Sequence, residues 1–167
     1  VWDIKAGRQN FSFEHGSRLT TMTLDDSGRK LITGGANGAI TMWNFSSGEK
    51  LRTISTDEAP RTEVTALLHV HMVKLCYHVS VGWHHDVWMW PDRDKAHPRR
   101  LGGHSDDILC VAYVPPNLLV SGAYDGTLIV HNIESGAVSR RVAPRRPHEG
   151  GGDPSFSSIS SSRRLSH

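Results

Sequence analysis

Eleven histidines and two cysteines are the groups in this chain best suited to chemistry, and several crowd one stretch: His69-Val70-His71, Cys76-Tyr77-His78 and His84-His85. On a β-strand, residues two apart share a face, so His69 with His71 and Cys76 with His78 would make a four-ligand set of the kind that holds structural zinc. The spacing matches no zinc ribbon or finger, and Val70, Tyr77 and Val79 read as ordinary strand packing, so no metal is expected. Asp25-Asp26 and Asp106-Asp107 read as solvated turn residues rather than an acid and a base. No Ser/His/Asp order, phosphate-cradling glycine loop or cofactor fingerprint is present. Gly34-Gly35 suits a hairpin and Gly150-Gly151-Gly152 a linker-like tail. The expectation is a protein that is not an enzyme, with no cofactor and no small-molecule substrate.

The elements that carry these residues are set by a repeat. Residues 33–43, 80–90 and 121–131 read TGGANGAITMW, SVGWHHDVWMW and SGAYDGTLIVH, and align without a gap at starts 47 and 41 residues apart. A period near 40 residues marks a unit that cannot bury its apolar face alone and stacks on copies of itself. Asn37-Gly38 and Asp125-Gly126 are strong hairpin signals, because the tight turn needs positive φ at its centre; the same register puts the second copy's turn at His84-His85. Gly48 and Gly136 follow the closing residue by five, and Gly7 stands in the same place after Trp2. A further apolar stretch precedes each segment at 19–24, 64–70 and 108–114. Four short strands per repeat result.

These features resemble the WD repeat, or WD40, whose unit is one four-stranded blade of a β-propeller. The namesake dipeptide stands intact as Trp2-Asp3 and altered as Trp43-Asn44, Trp90-Pro91 and His131-Asn132, and Gly103-His104 matches the dipeptide that opens the family's repeat. The resemblance implies an all-β fold, a partial β-propeller of about three four-stranded antiparallel blades plus the last two strands of a preceding one. The corresponding boundaries are 1–13 for the partial blade, 14–54, 55–101 and 102–142 for the blades, and 143–167 for a tail. Because a propeller closes with roughly four to eight blades, and the chain starts in mid-blade without Met, the expectation is a fragment of a longer propeller that needs further blades or another chain to close.

The resemblance also implies a buried hydrogen-bonded chain of His, Ser or Thr, Asp and Trp in each blade. By position the first copy supplies His15, Thr33 and Trp43 with Asn37 for the acid, the second Ser80 and Trp90 with His84 for the acid, and the third His104, Ser121 and Asp125 with His131 for the tryptophan. It further implies a recognition surface where the loops gather at one end of the disc. Trp83 and Tyr124 sit just before the acid position there, and aromatics on rigid turns give large contact area at small entropic cost. With His85, Arg18 and Arg61 they are the partner-binding candidates; the competing reading packs Trp83 and Tyr124 between blades.

A net charge of +2 gives no general field for nucleic acid. The excess sits in arginines at and beyond Arg140, within a stretch rich in Pro, Gly and Ser whose few apolar groups cannot offset ordering entropy. Residues 143–167 are therefore expected to be disordered, and Arg163-Arg164-Leu165-Ser166 resembles the motif read by Arg-directed kinases, making Ser166 the candidate phosphorylation site. Cys76 and Cys110 are expected on inner strands as reduced thiols of an intracellular, cytoplasmic protein, and no stretch of 18 or more apolar residues marks a membrane span. Residues 79–92 and 106–136 resemble WD-repeat proteins of cilia and flagella. The expected function is a non-catalytic scaffold binding proteins or peptides; the alternative is a regulatory or nucleic-acid-associated module acting through the basic tail.

Overall fold

The computed structural model describes residues 1–10, 12–57, 59–72, 75–93 and 97–144. Its elements are fourteen strands, with no helix among the described residues. A hairpin of β1 (Trp2–Asp3) and β2 (Arg8–Gln9) opens the chain. Three sheets follow. The first is built of β3 (Leu19–Leu24), β4 (Lys30–Gly35), β5 (Ile40–Asn44) and β6 (Lys50–Thr53). The second has β7 (Val64–His71), β8 (Cys76–Gly82), β9 (His84–Pro91) and β10 (Arg99–Leu101). The third has β11 (Ile108–Val114), β12 (Leu118–Ala123), β13 (Leu128–Asn132) and β14 (Val138–Val142). Each is a four-stranded antiparallel meander with strands paired in chain order.

Turn chemistry forces this local order. After the first inner strand, Asp25 Oδ1 accepts the backbone N–H of Arg29 and Lys30 at 2.9 Å each, tying the turn that returns the chain as β4. Asn44 Oδ1 accepts from Ser46 N at 2.9 Å and Ser47 N at 3.2 Å, and Asn132 Oδ1 from Glu134 N and Ser135 N at 3.0 Å. A side-chain carbonyl thus does at 44 and 132 what a carboxylate does in the Trp-Asp dipeptide, because an Asx turn needs only an acceptor. Gly48 and Gly136 close these turns at φ 75°, the left-handed region that glycine enters without strain.

The sheets lean on one another through two apolar layers. Ile32, Ile40, Met42, Val64, Leu67 and Trp88 lie buried between the first and second sheets. Val79, Val81, Met89, Leu101, Ile108 and Leu119 are among those buried between the second and third. Inner strands β3 and β7 pack side by side, as do β7 and β11, so the sheets fan outward as blades. Each inner strand carries a bulge at one register position, between Leu19 and Thr21, Val64 and Ala66, and Ile108 and Cys110. The residue left unpaired reaches the next blade: Thr20 Oγ1 donates to Val64 O at 2.6 Å, and Thr65 Oγ1 to Ile108 O at 2.6 Å. The third blade has Leu109 there, 44% exposed.

Two local expectations change. The second copy turns at Trp83, not at His84-His85: His84 pairs with Gly82 and begins β9, since this copy lacks the Gly of the other two turns and the chain reverses more tightly. Cys76 starts β8, the second strand of its blade, whereas Cys110 lies on inner strand β11 and is exposed. Residues 145–167, Ser166 among them, lie outside the described residues.

Replacing Thr65 by Val keeps the shape and strips the hydroxyl, leaving the Ile108 carbonyl short of a donor. A loss of about 1 to 3 kcal/mol in unfolding free energy is expected by thermal or urea unfolding, and Thr20→Val should cost a similar amount.

Candidate interaction rim

One backbone bond recurs in every blade. Ala36 N donates to Arg18 O at 2.9 Å, Trp83 N to Glu63 O at 3.1 Å, and Tyr124 N to Asp107 O at 2.8 Å. Each tethers the hairpin between the second and third strands to the segment entering that blade's inner strand, so these loops meet at one end of the array. Trp83 and Tyr124 occupy the equivalent position and stand 54% and 76% exposed, out from the blades rather than packed between them.

The other candidates divide. His85 is exposed two residues beyond Trp83, on β9. Arg18 NH2 donates to Glu63 Oε2 at 2.6 Å across the first two blades. Arg61 lies 3.8 Å from Asp57, beside a cleft of about 430 Å³ that Asn37, Ser55 and Pro60 help to line. Gly38 sits at that cleft with φ 80°, and a Cβ there would come within 2.5 Å of Pro60 O. The rim is therefore built by backbone tethers, with side chains free to project.

Beneath the rim the polar residues pair differently in each blade. In the first, Trp43 Nε1 donates to Thr33 Oγ1 at 2.8 Å, while His15 Nδ1 meets Ser17 Oγ at 3.1 Å and Ser17 Oγ donates to Asn37 Oδ1 at 3.0 Å. These are two separate groups, a single bond and a chain of two, because His15 turns to Ser17. In the second, Trp90 Nε1 donates to Ser80 Oγ at 2.8 Å, and His84 Nδ1 is buried without a partner. In the third, His104 Nε2 and Ser121 Oγ lie 2.7 Å apart, Asp125 accepts from Ser105 Oγ at 3.1 Å and Thr127 N at 2.8 Å, and both ring nitrogens of His131 are buried without a partner. Burial holds the His15, His84 and His104 imidazoles below their usual range. Burial pushes His131 down to about 4, with the His104 charge acting in the same sense.

The histidine and cysteine stretch forms no ligand set, and among the described residues no group of three or more His, Cys, Asp or Glu could hold a metal. His71 Nδ1 pairs with Asp26 at 3.0 Å on the surface. His69 Nδ1 and His78 Nδ1 lie 3.3 Å apart, and His78 Nε2 is 3.4 Å from Asp92 Oδ1. Asp92 accepts from Lys30 Nζ at 3.0 Å and Arg52 NH2 at 2.9 Å, both on the first blade. Burial opposes its charge, but Lys30 and His78 hold the carboxyl below the usual range. This clamp and the Thr20 and Thr65 hydroxyls escape a reading by motif. The matched register of Thr20, Thr65 and Leu109 was the signal available for the hydroxyls; for Asp92 there was none, since its partners lie 62 and 40 residues away.

Burial sets His78 to about 4 as well. Since both His78 and His131 protonate more readily unfolded than folded, their contribution to stability is complete above about pH 6.5 and is lost as pH falls toward about 4. The unfolding midpoint is expected to drop steadily across that window. His131→Trp, which restores a donor that Ser121 can accept, should flatten the slope.

Comparison with known proteins completes the picture. The profile of the WD domain, G-beta repeat, matches residues 7–44 and 96–132. A "WD repeat-containing protein on Y chromosome" of Anopheles gambiae is 30% identical over 138 residues, 77% of this chain and 12% of that protein. The protein of the same name in Drosophila grimshawi is 25% identical over 164 residues, 89% of this chain and 14% of that protein. The chain thus spans a small part of these relatives. Among solved structures, U3-55K superposes with TM-score 0.71 at 18% identity, covering 80% of this chain and 41% of that one, a likeness of fold alone. The computationally designed Ika4 protein superposes with TM-score 0.62 at 29% identity, covering 87% of this chain and 81% of that one. Repeat register, blade architecture and relatives agree: this chain is built of WD40 repeats.

Proposed function

We propose that this chain is a non-catalytic scaffold that binds proteins or peptides at the end of the array where Trp83 and Tyr124 project. The observation that carries the reading is the equivalent placement of two exposed aromatic side chains on neighbouring blades, each on a loop fixed by a backbone hydrogen bond. Large apolar groups held this rigidly lose little entropy on binding, the pattern of an interface anchor. WD-repeat proteins generally act as interaction scaffolds, which fits. His85, Arg18 and Arg61 flank the aromatics at the rim; no catalytic role is assigned. No helix among the described residues is long and apolar enough to cross a membrane.

A ciliary or cytoskeletal setting is the finer form of this reading. It rests on residues 79–92 and 106–136 alone and is tested by the position of a tagged full-length protein, whose absence from axonemes would remove it. The basic tail, the basis of the nucleic-acid alternative, continues beyond the described residues, and no observation at the rim favours that alternative.

Trp83→Ala and Tyr124→Ala should each weaken capture of the partner at least tenfold, the loss of about 1.4 kcal/mol or more expected for an interface anchor, with the thermal midpoint unchanged. Partner capture that survives both substitutions would overturn the proposal.

A further inference from the structure

The charges around the two aromatic groups are not balanced, and this deepens the scaffold reading on which it rests. Of the cations near them, Arg18 is bonded to Glu63 and Arg100 Nε lies 3.5 Å from Asp86 Oδ2, whereas Arg141 NH2 donates to the neutral carbonyl of Gly103 and keeps its charge. The carboxylates of the third blade are not matched in this way: Asp106, Asp107 and Asp125 make no ion pair among the described residues, and what contacts they have are with neutral donors. Asp106 Oδ1 accepts Asp107 N at 2.8 Å, and Asp125 takes Ser105 Oγ and Thr127 N. These groups lie beside the exposed aromatics. Tyr124 is bonded through its N–H to Asp107 O and precedes Asp125 in the chain. Across the blade junction His84 feels the charge of Asp107 and His104 that of His85, while within its own blade His104 feels Asp125 and Arg141. His104 is only 8% exposed, and its Nδ1 has no hydrogen-bond partner.

We propose that the rim over the second and third blades binds a basic peptide, with an arginine or lysine side chain laid against Tyr124 or Trp83 and its charge met by Asp106, Asp107 and Asp125. The chemistry is complementary on both counts. A guanidinium or ammonium over an aromatic face is attracted by the ring quadrupole, and a carboxylate beside it adds a charge-assisted hydrogen bond. Three carboxylates with no counter-ion among the described residues favour a cationic partner and disfavour nucleic acid or an acidic peptide, since like charges meeting at an interface repel. His84 and His85 border the same place.

The test uses the 167-residue chain and capped fluorescent peptides of alternating Gly and Arg, with control peptides carrying Glu or Gln in place of Arg. By anisotropy at about 50 mM salt, the Arg peptide should bind at least about tenfold tighter than either control, and should weaken several-fold by about 300 mM as screening grows. Asp107→Asn, whose side chain supports no backbone contact, should weaken the Arg peptide about fivefold to tenfold, as should Tyr124→Ala. Tyr124→Gln and Asp106→Asn serve as second variants should either chain fail to fold, judged by its thermal midpoint. Equal binding of the Glu or Gln peptide, tighter binding of a single-stranded oligonucleotide, or full affinity in folded Asp107→Asn would overturn the proposal. Partner capture lost in Trp83→Ala while the Arg peptide fails to bind would sink this inference and leave the scaffold standing. Capture unaffected by Trp83→Ala and Tyr124→Ala would sink both.

Discussion

A four-stranded sheet with an apolar face is unstable until something covers it, and here the cover is always the next sheet. The contact that fixes how they meet is small. A bulge in each inner strand frees one residue from the ladder, and in the first two blades that residue is a threonine whose hydroxyl reaches the carbonyl opening the next inner strand. Bulges re-aim a side chain at the cost of one ladder position. In this chain the re-aimed hydroxyl sets the distance and angle between blades, and the layers around Val64 and Ile108 pack to that spacing.

The rim inherits its rigidity from the same arrangement. Its loops are held to the segments that lead into the inner strands, so the junctions between blades and the loops at their end are mechanically one piece. Trp83 and Tyr124 can therefore be exposed without being mobile, which is the condition under which an exposed aromatic becomes useful for recognition. The Asp92 clamp acts on the blades from a different residue set, drawing Lys30 and Arg52 of the first blade to a carboxylate of the second.

Much of the fold was legible in the order of residues. Three windows aligned without a gap, and Gly7, Gly48 and Gly136 fell at one offset, all with positive φ. Substitution of Asn for Asp at 44 and 132 did not hide the turns, because an amide oxygen caps as a carboxylate does. The second copy was harder to place: without a turn glycine its hairpin reversed at Trp83 and drew His84 into the strand. The polar interior was legible only by residue type. Which hydroxyl a histidine meets is decided by a rotation that leaves no periodic trace, and so His15 meets Ser17 and His131 meets nothing. Contacts between blades such as Thr20 to Val64 and Arg52 to Asp92 join residues 44 and 40 apart, beyond the reach of any local pattern.

Leu109 carries a consequence of its own. Where its two predecessors bear a hydroxyl, it offers a half-exposed hydrocarbon, so the array is not the same read forward and backward. Under tension such a stack has a grain. The first two seams are riveted by an oriented polar bond that must shear before the sheets slide, whereas a neighbour seated against the third would be held at this position by grease alone and would slip at lower force.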